Sequence, residues 1–304
     1  MSDYFDLQVN GYGGVDFNQD DLTAEALHAT CERLAADGVG QILATIITEQ
    51  LDQMCRRIGN LARLREQDPL ARQRIAGIHV EGPFLSPADG YRGAHPADAI
   101  RPANRDAAQR LVEAGAGLVR LVTLAPEQDP GFGVTRWLAE RGLVISAGHT
   151  NASLNELRGA IDAGLTMFTH LGNGCPIQLP RHDNIVQRAL SLADRLWLGF
   201  IADGVHVPFF ALRNYLRAAG LPRCLVVTDA MTAAGLGPGR YRIGRWEVAV
   251  GPDLAAWAPD RSHLIGSAMT MPQSFENLVS QVSLSQDEAV QLTTSNPRRA
   301  LGLG

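Results

Sequence analysis

The sequence predicts a (β/α)8 barrel, an α/β fold in which eight parallel strands are ringed by helices. Three observations carry the prediction. Short apolar runs alternate with longer stretches of helical periodicity, the runs number eight, and they fit within about 230 residues, which suits a closed ring better than an open doubly wound sheet. The chain has 304 residues, 45% hydrophobic and 19% charged, the range of an ordinary globular protein. No linker, repeat or low-complexity tract divides it, so a single barrel domain over 1–304 is expected.

Taken in order, the strands are expected at 5–9, 41–46, 75–80, 118–124, 143–146, 166–169, 196–202 and 224–228, apolar runs bounded by Gly or Asp. Helices are expected at 24–36, 51–67, 105–114, 134–141, 154–163 and 208–219, where apolar residues recur three and four apart. Several of these stop at a glycine (Gly38, Gly115, Gly142, Gly164, Gly220), the residue that caps a last turn in the left-handed conformation. Gly11-Tyr12-Gly13-Gly14 reads as a tight loop, since it lacks the spacing of a dinucleotide fingerprint. Past residue 229, β-prone runs at 240–243 and 246–250 predict a hairpin flap, and helices at 272–282 and 286–300 follow.

Composition removes several function classes. All 27 basic residues are Arg, so neither a Schiff-base lysine nor a P-loop lysine is available. A net charge of -5 with no basic run offers nucleic acid no electrostatic footprint. Cys31, Cys55, Cys175 and Cys224 show no C-x-x-C spacing and are expected as free thiols. The first residues are acidic where a secretory signal is basic, and no run reaches the ~18 apolar residues of a membrane span. A cytoplasmic protein without a membrane partner is the expectation.

Barrel active sites form at the C-terminal ends of the strands, and here those ends are polar. The third strand leads into Glu81, the fifth to His149, the sixth to His170, the seventh to Asp203 and His206, and the eighth to Asp229. One carboxylate and two imidazoles (Glu81, His149, His170) make a three-ligand set with coordination positions left for water and substrate. Asp229 is then the group to accept and return a proton. His79 shares a strand face with Glu81 but is expected as a buried, satisfied side chain.

At this point a set of segments, in order, resembles the N-acetylglucosamine-6-phosphate deacetylases of the amidohydrolase superfamily. They are Asp6-Leu7-Gln8-Val9-Asn10-Gly11, Gly77-Ile78-His79-Val80-Glu81-Gly82-Pro83-Phe84-Leu85, Gly93-Ala94-His95, Val122-Thr123-Leu124-Ala125-Pro126-Glu127, Gly148-His149-Thr150-Asn151-Ala152, Thr169-His170-Leu171, Ile201-Ala202-Asp203-Gly204-Val205-His206, Val227-Thr228-Asp229-Ala230 and Gly266-Ser267-Ala268-Met269-Thr270-Met271. The resemblance implies metal-dependent hydrolysis of the acetamide of an amino-sugar phosphate. It also implies that His95 polarises the substrate carbonyl and that Asn173, Gly174, Arg181, His206 and Ile265 contact substrate, the family Arg being able to cross a dimer interface. A homodimer is therefore compatible with it. Gln8-Val9-Asn10 stands where many amidohydrolases carry His-x-His for a second metal, so one divalent ion is expected, Zn2+ first and Fe2+ as the other choice. Gly172-Asn173-Gly174-Cys175 replaces the usual Tyr-Asn-Ala-Met, which leaves the sugar open. N-acetylgalactosamine 6-phosphate, an unphosphorylated sugar, or a non-catalytic sugar-phosphate-binding barrel are the alternatives. The small β-sandwich that family members build from their ends is expected to be missing.

Overall fold

Strands that are apolar on both faces need a closed sheet under a helical coat, and the chain supplies both. The computed structural model describes residues 3–303. Eight strands run parallel and pair in chain order: β1 (Tyr4–Val9), β2 (Val39–Ile47), β3 (Ile75–Glu81), β4 (Val119–Leu124), β5 (Val144–Ala147), β6 (Met167–Phe168), β7 (Trp197–Ile201) and β8 (Cys224–Val227). The seam between β8 and β1 is closed by a short bridge, Val9 to Ala230, by Asn10 N–H donating to the Ala230 carbonyl at 2.7 Å, and by a side chain. The buried Asp6 carboxylate accepts from the backbone N–H of Thr228 at 3.2 Å and from its hydroxyl at 2.5 Å.

The helical coat comprises α1 (Ala24–Ala36), α2 (Leu51–Gln67), α3 (Pro69–Arg74), α4 (Arg105–Ala114), α5 (Gly133–Ala139), α6 (Leu154–Asp162), α7 (Ile185–Leu190), α8 (Phe209–Ala219), α9 (Met271–Ser280), α10 (Gln286–Val290) and α11 (Asn296–Ala300). Thr23, Asn104 and Ser153 cap the starts of α1, α4 and α6 with their side-chain oxygens. Among the described residues, no helix is long and apolar enough to cross a membrane. Three sequence expectations change. The C-terminal helix is broken by a π segment at Gln291–Ser295. The loop after β1 is a miniature hairpin, Gly11–Tyr12 against Val15–Asp16. Gly115 keeps right-handed geometry (φ -78°), and the left-handed turn falls instead on Ala116 and Gly117.

Alternate residues of the strands serve different cores. Ile42, Ala44, Ile78, Val80, Val122, Phe200 and Val226 pack outward on the helices. Phe5, Leu7, Leu43, Leu121, Met167, Ile201, Leu225 and Val227 form a separate apolar floor, sealed by Ala300 and Leu301. One step further along the strands the lining turns polar: His79 Nε2 lies 2.7 Å from the Thr123 hydroxyl, Thr123 2.8 Å from Thr169, and Thr169 2.6 Å from Ser146. His79 is thus buried and satisfied, as its strand position suggests.

The flap is larger than a hairpin. Antiparallel β9 (Gly239–Ile243), β10 (Trp246–Val250), β11 (Ala255–Trp257) and β12 (Leu264–Ser267) form a four-stranded sheet. Its Ile243, Val248, Val250 and Ile265 pack with Met231, and Ile47 and Ala94 join them from the barrel side. Ser267 N–H donates to the Asp229 carbonyl at 2.9 Å, which welds the flap to the end of β8.

Candidate active site

The polar strand ends converge as the barrel requires. Glu81 closes β3, His149 follows β5 by one residue past Gly148, His170 follows β6, and Asp229 follows β8. His149, His170 and Asp229 hold φ values of 50°, 34° and 52°, a left-handed backbone that costs a non-glycine residue about 1 kcal/mol or more. Local bonds hold them there. The His149 carbonyl accepts from Ser86 N–H at 2.9 Å, Leu171 N–H donates to Gly199 at 2.7 Å, and Ser267 grips Asp229.

Four side chains meet at the centre. His170 Nε2 lies 3.0 Å and His149 Nε2 3.4 Å from Glu81 Oε1, and His95 Nε2 lies 3.2 Å from His149 Nε2. Glu81, His95 and His149 each bring a donor atom within 4.8 Å of the others; His170, on the same carboxylate oxygen, is the fourth member. His149 Nδ1 is 2.9 Å from the Tyr91 carbonyl and must donate to it, so the Nε2 of a neutral ring presents a lone pair to the Glu81 oxygen. Lone pairs converging in a buried space suit a cation, and His95 Nδ1 and His170 Nδ1 are buried with no protein partner. The donor set fits a divalent metal ion.

Electrostatics follow the same geometry. Burial pushes the Glu81 carboxyl up, but the His149 and His170 rings beside it outweigh burial and hold the group well below its usual range. Burial lowers His95 to about 3, with the His149 ring adding to it. Asp229 is raised to about 6, first by burial and then by the Glu81 charge. Its Oδ1 accepts from Asn10 Nδ2 at 2.7 Å, while Gln8 Nε2 reaches both Glu81 oxygens at 3.2 Å. The two amides of Gln8 and Asn10 therefore serve as donors to the acids.

The expected substrate contacts fall in three places. Asn173 turns back on His170, its backbone N–H donating to that carbonyl at 3.0 Å and its Nδ2 at 3.2 Å. Gly174 lies flat on His149, where a Cβ would come within 3.0 Å of Nδ1. His206 is oriented by Asp203 through a 2.6 Å contact at Nδ1. Arg181 is exposed in the loop after β6. Ile265 is apart from these, its side chain enclosed in the flap's apolar cluster. Sequence reasoning did not find the Tyr91 carbonyl, a backbone group with no signature. Glu127 falls within a segment of the resemblance but was given no role there; its carboxylate binds the Thr150 hydroxyl and accepts from Asn151 N–H at 2.7 Å, fixing the turn after His149.

No protein-family model matches the chain. Among curated proteins it is 33% identical to the N-acetylglucosamine-6-phosphate deacetylase of Bos taurus, over 99% of this chain and 74% of that protein. The chain belongs to the N-acetylglucosamine-6-phosphate deacetylase family. The N-acetylgalactosamine-6-phosphate deacetylase of Escherichia coli O157:H7 is 30% identical over 99% of the chain and 77% of its own length. Among solved structures, a Mycobacterium smegmatis N-acetyl-D-glucosamine-6-phosphate deacetylase mutant in complex with N-acetyl-D-glucosamine-6-phosphate superposes with a TM-score of 0.90 at 33% identity. That match covers 99% of this chain and 77% of the other. A deacetylase of the same name from Pasteurella multocida gives 0.88 at 29% identity, covering 99% and 76%. The matches thus run along almost the whole of this chain, flap included.

Proposed function

We propose that this chain hydrolyses the acetamide of N-acetylglucosamine 6-phosphate to acetate and glucosamine 6-phosphate, as a single barrel domain with a flap. The observation that carries the reading is the half-buried Asp229 carboxylate, anchored by Asn10 and set in the field of Glu81 and His170, in a chain 33% identical to an enzyme of that name. Glu81, His149 and His170 would hold one divalent ion, Zn2+ by preference for this donor set; when bound it would supply Lewis acidity to water and to the amide oxygen. Asp229 takes a proton from the attacking water and passes it to the amide nitrogen as the C–N bond breaks. A carboxyl raised to about 6 is ionised at neutral pH and still basic enough for both transfers. His95, kept neutral by burial, donates a hydrogen bond to the carbonyl oxygen as negative charge develops there.

Asn173, Gly174, His206 and Arg181 would receive the sugar phosphate, and Ile265, whose side chain is packed inside the flap, would offer backbone groups only. Arg181 makes no ion pair among the described residues, and a homodimer is the assembly in which it would reach a partner's site. The four free cysteines suit a reducing cytoplasm.

Acetate release by the metal-loaded protein tests the reading. N-acetylglucosamine 6-phosphate should be turned over, and Asp229→Asn should lower kcat by roughly 10²–10⁴-fold. Equal rates for the two proteins would sink it. N-acetylgalactosamine 6-phosphate belongs in the same assay, because a relative named for that substrate is 30% identical; a higher kcat/KM for it would move the assignment to the galacto sugar.

A further inference from the structure

We infer that Arg245, at the tip of the flap hairpin, is a positioning residue that holds the His95 turn against the active site by bracing Glu49 and Asp98. The inference rests on the function proposed above, in which His95 meets the substrate carbonyl.

His95 has little fastening of its own. Its Nδ1 is buried without a protein partner, and its backbone N–H donates within its own turn, to the Arg92 carbonyl at 3.1 Å. The restraint comes from outside. Ala94 packs into the flap's apolar cluster beside Ile243 and Val248. Three residues past His95, the Asp98 carboxylate accepts from Arg245 Nη1 at 3.1 Å, and its backbone carbonyl accepts from Gln50 Nε2 at 3.1 Å. The same guanidinium clasps the buried Glu49, Nε to Oε2 at 2.9 Å and Nη2 to Oε1. Glu49 adjoins Thr48, whose hydroxyl donates to the Glu81 carbonyl at 3.0 Å. Next to Arg245 in the turn, Gly244 N–H donates to Asp16 at 2.5 Å.

One planar fork therefore ties the flap tip both to the chain beside Glu81 and to the turn that carries His95. Arginine can hold two carboxylates in fixed directions where a lysine ammonium is only a point charge. Without it, Glu49 and Asp98 face each other with no cation between them, and the His95 turn loses its outer support. A misplacement of about 1 Å in a group that meets the reacting carbonyl can cost about 10²-fold in rate.

The test is a double-mutant cycle on acetate release by the metal-loaded protein. Arg245→Ala should lower kcat roughly 10- to 100-fold with metal content unchanged, Arg245→Lys should recover only part of the loss, and Arg245→Ala should add little in a His95→Asn background. The same factor lost in both backgrounds, or a fully active Arg245→Ala, would overturn the proposal. His95→Asn at parental activity would instead overturn the role of His95, and that single variant tells the two failures apart. If Arg245→Ala folds poorly or His95→Asn is too slow to assay, the His95 imidazole proton resonance in Asp98→Asn decides. It should move while that of the surface His28 stays; an unmoved His95 resonance would refute the bracing.

Discussion

At the scale of single residues, the site separates groups that hold from groups that act, although all share one small space. His95 and His170 both crowd the Glu81–His149 pair, and donor distances alone would admit either as the third ligand. Their partners differ: His170 Nε2 is on the Glu81 carboxylate itself, whereas His95 meets only the neighbouring imidazole. His170→Asn is therefore expected to lose bound metal, while His95→Asn keeps close to one equivalent and loses turnover. Outer-shell changes at metal sites already cost roughly 10–100-fold in affinity, so loss of a direct ligand should exceed that in a metal titration. The reverse pattern would give the third position to His95. That these side chains would meet was legible in advance, because a carboxylate and several imidazoles all placed at strand ends converge on one barrel mouth. The amide pair Gln8 and Asn10 was legible as a substitution but not as two donors gripping Glu81 and Asp229. That required knowing that β1 borders β8 and that Gln8 reaches across to the end of β3. Tyr91 was illegible because its contribution is a carbonyl.

At the scale of elements, long periodic segments were readable and short ones were not. α1, α2 and α4 match their expected spans at both ends, since many apolar positions vote for one period. Six-residue α3 and α7 carry too few positions for a period to emerge, and three-residue β11 cannot be told from loop. The π segment before α11 was also hidden, because it inserts one residue of slack without changing residue type. Its result is visible at Asn296, which is fully buried and donates to the carbonyls of Leu221 at 2.9 Å and Cys224 at 2.6 Å, pinning the helix to the start of β8. Asn296→Ala removes both donations and should destabilise the fold by about 2 kcal/mol in urea unfolding. A change below about 0.5 kcal/mol, the usual range of surface substitutions, would show that the pin carries no stability.

At the scale of the whole molecule, ring closure rests partly on a titratable group. Burial raises the Asp6 carboxyl to about 7, despite the donations from Thr228 and Gln8. An acid whose pKa is higher folded than unfolded binds more protons in the native state, so its contribution to stability is largest below the ordinary value of 3.8 and is lost as pH rises through about 7. Unfolding free energy measured from pH 4 to 7.5 should fall less steeply with pH in Asp6→Asn than in the parent. Parallel profiles would show that Asp6 is ionised throughout. The eightfold alternation made the barrel legible, but nothing local marked how its ends would meet.

That meeting has a consequence during synthesis. Asp6 and Thr228 lie 222 residues apart, and the apolar floor begun by Phe5 is sealed only by Ala300 and Leu301. While the chain is still emerging from the ribosome, β1 has an unpaired edge and the barrel interior stands open to water. The ring cannot close before β8 emerges, nor the floor be sealed before Ala300 and Leu301 do. From β1 until β8 emerges, the nascent chain is thus a sheet with a bare rim, a period in which chaperone capture or faulty strand pairing competes with completion of the ring.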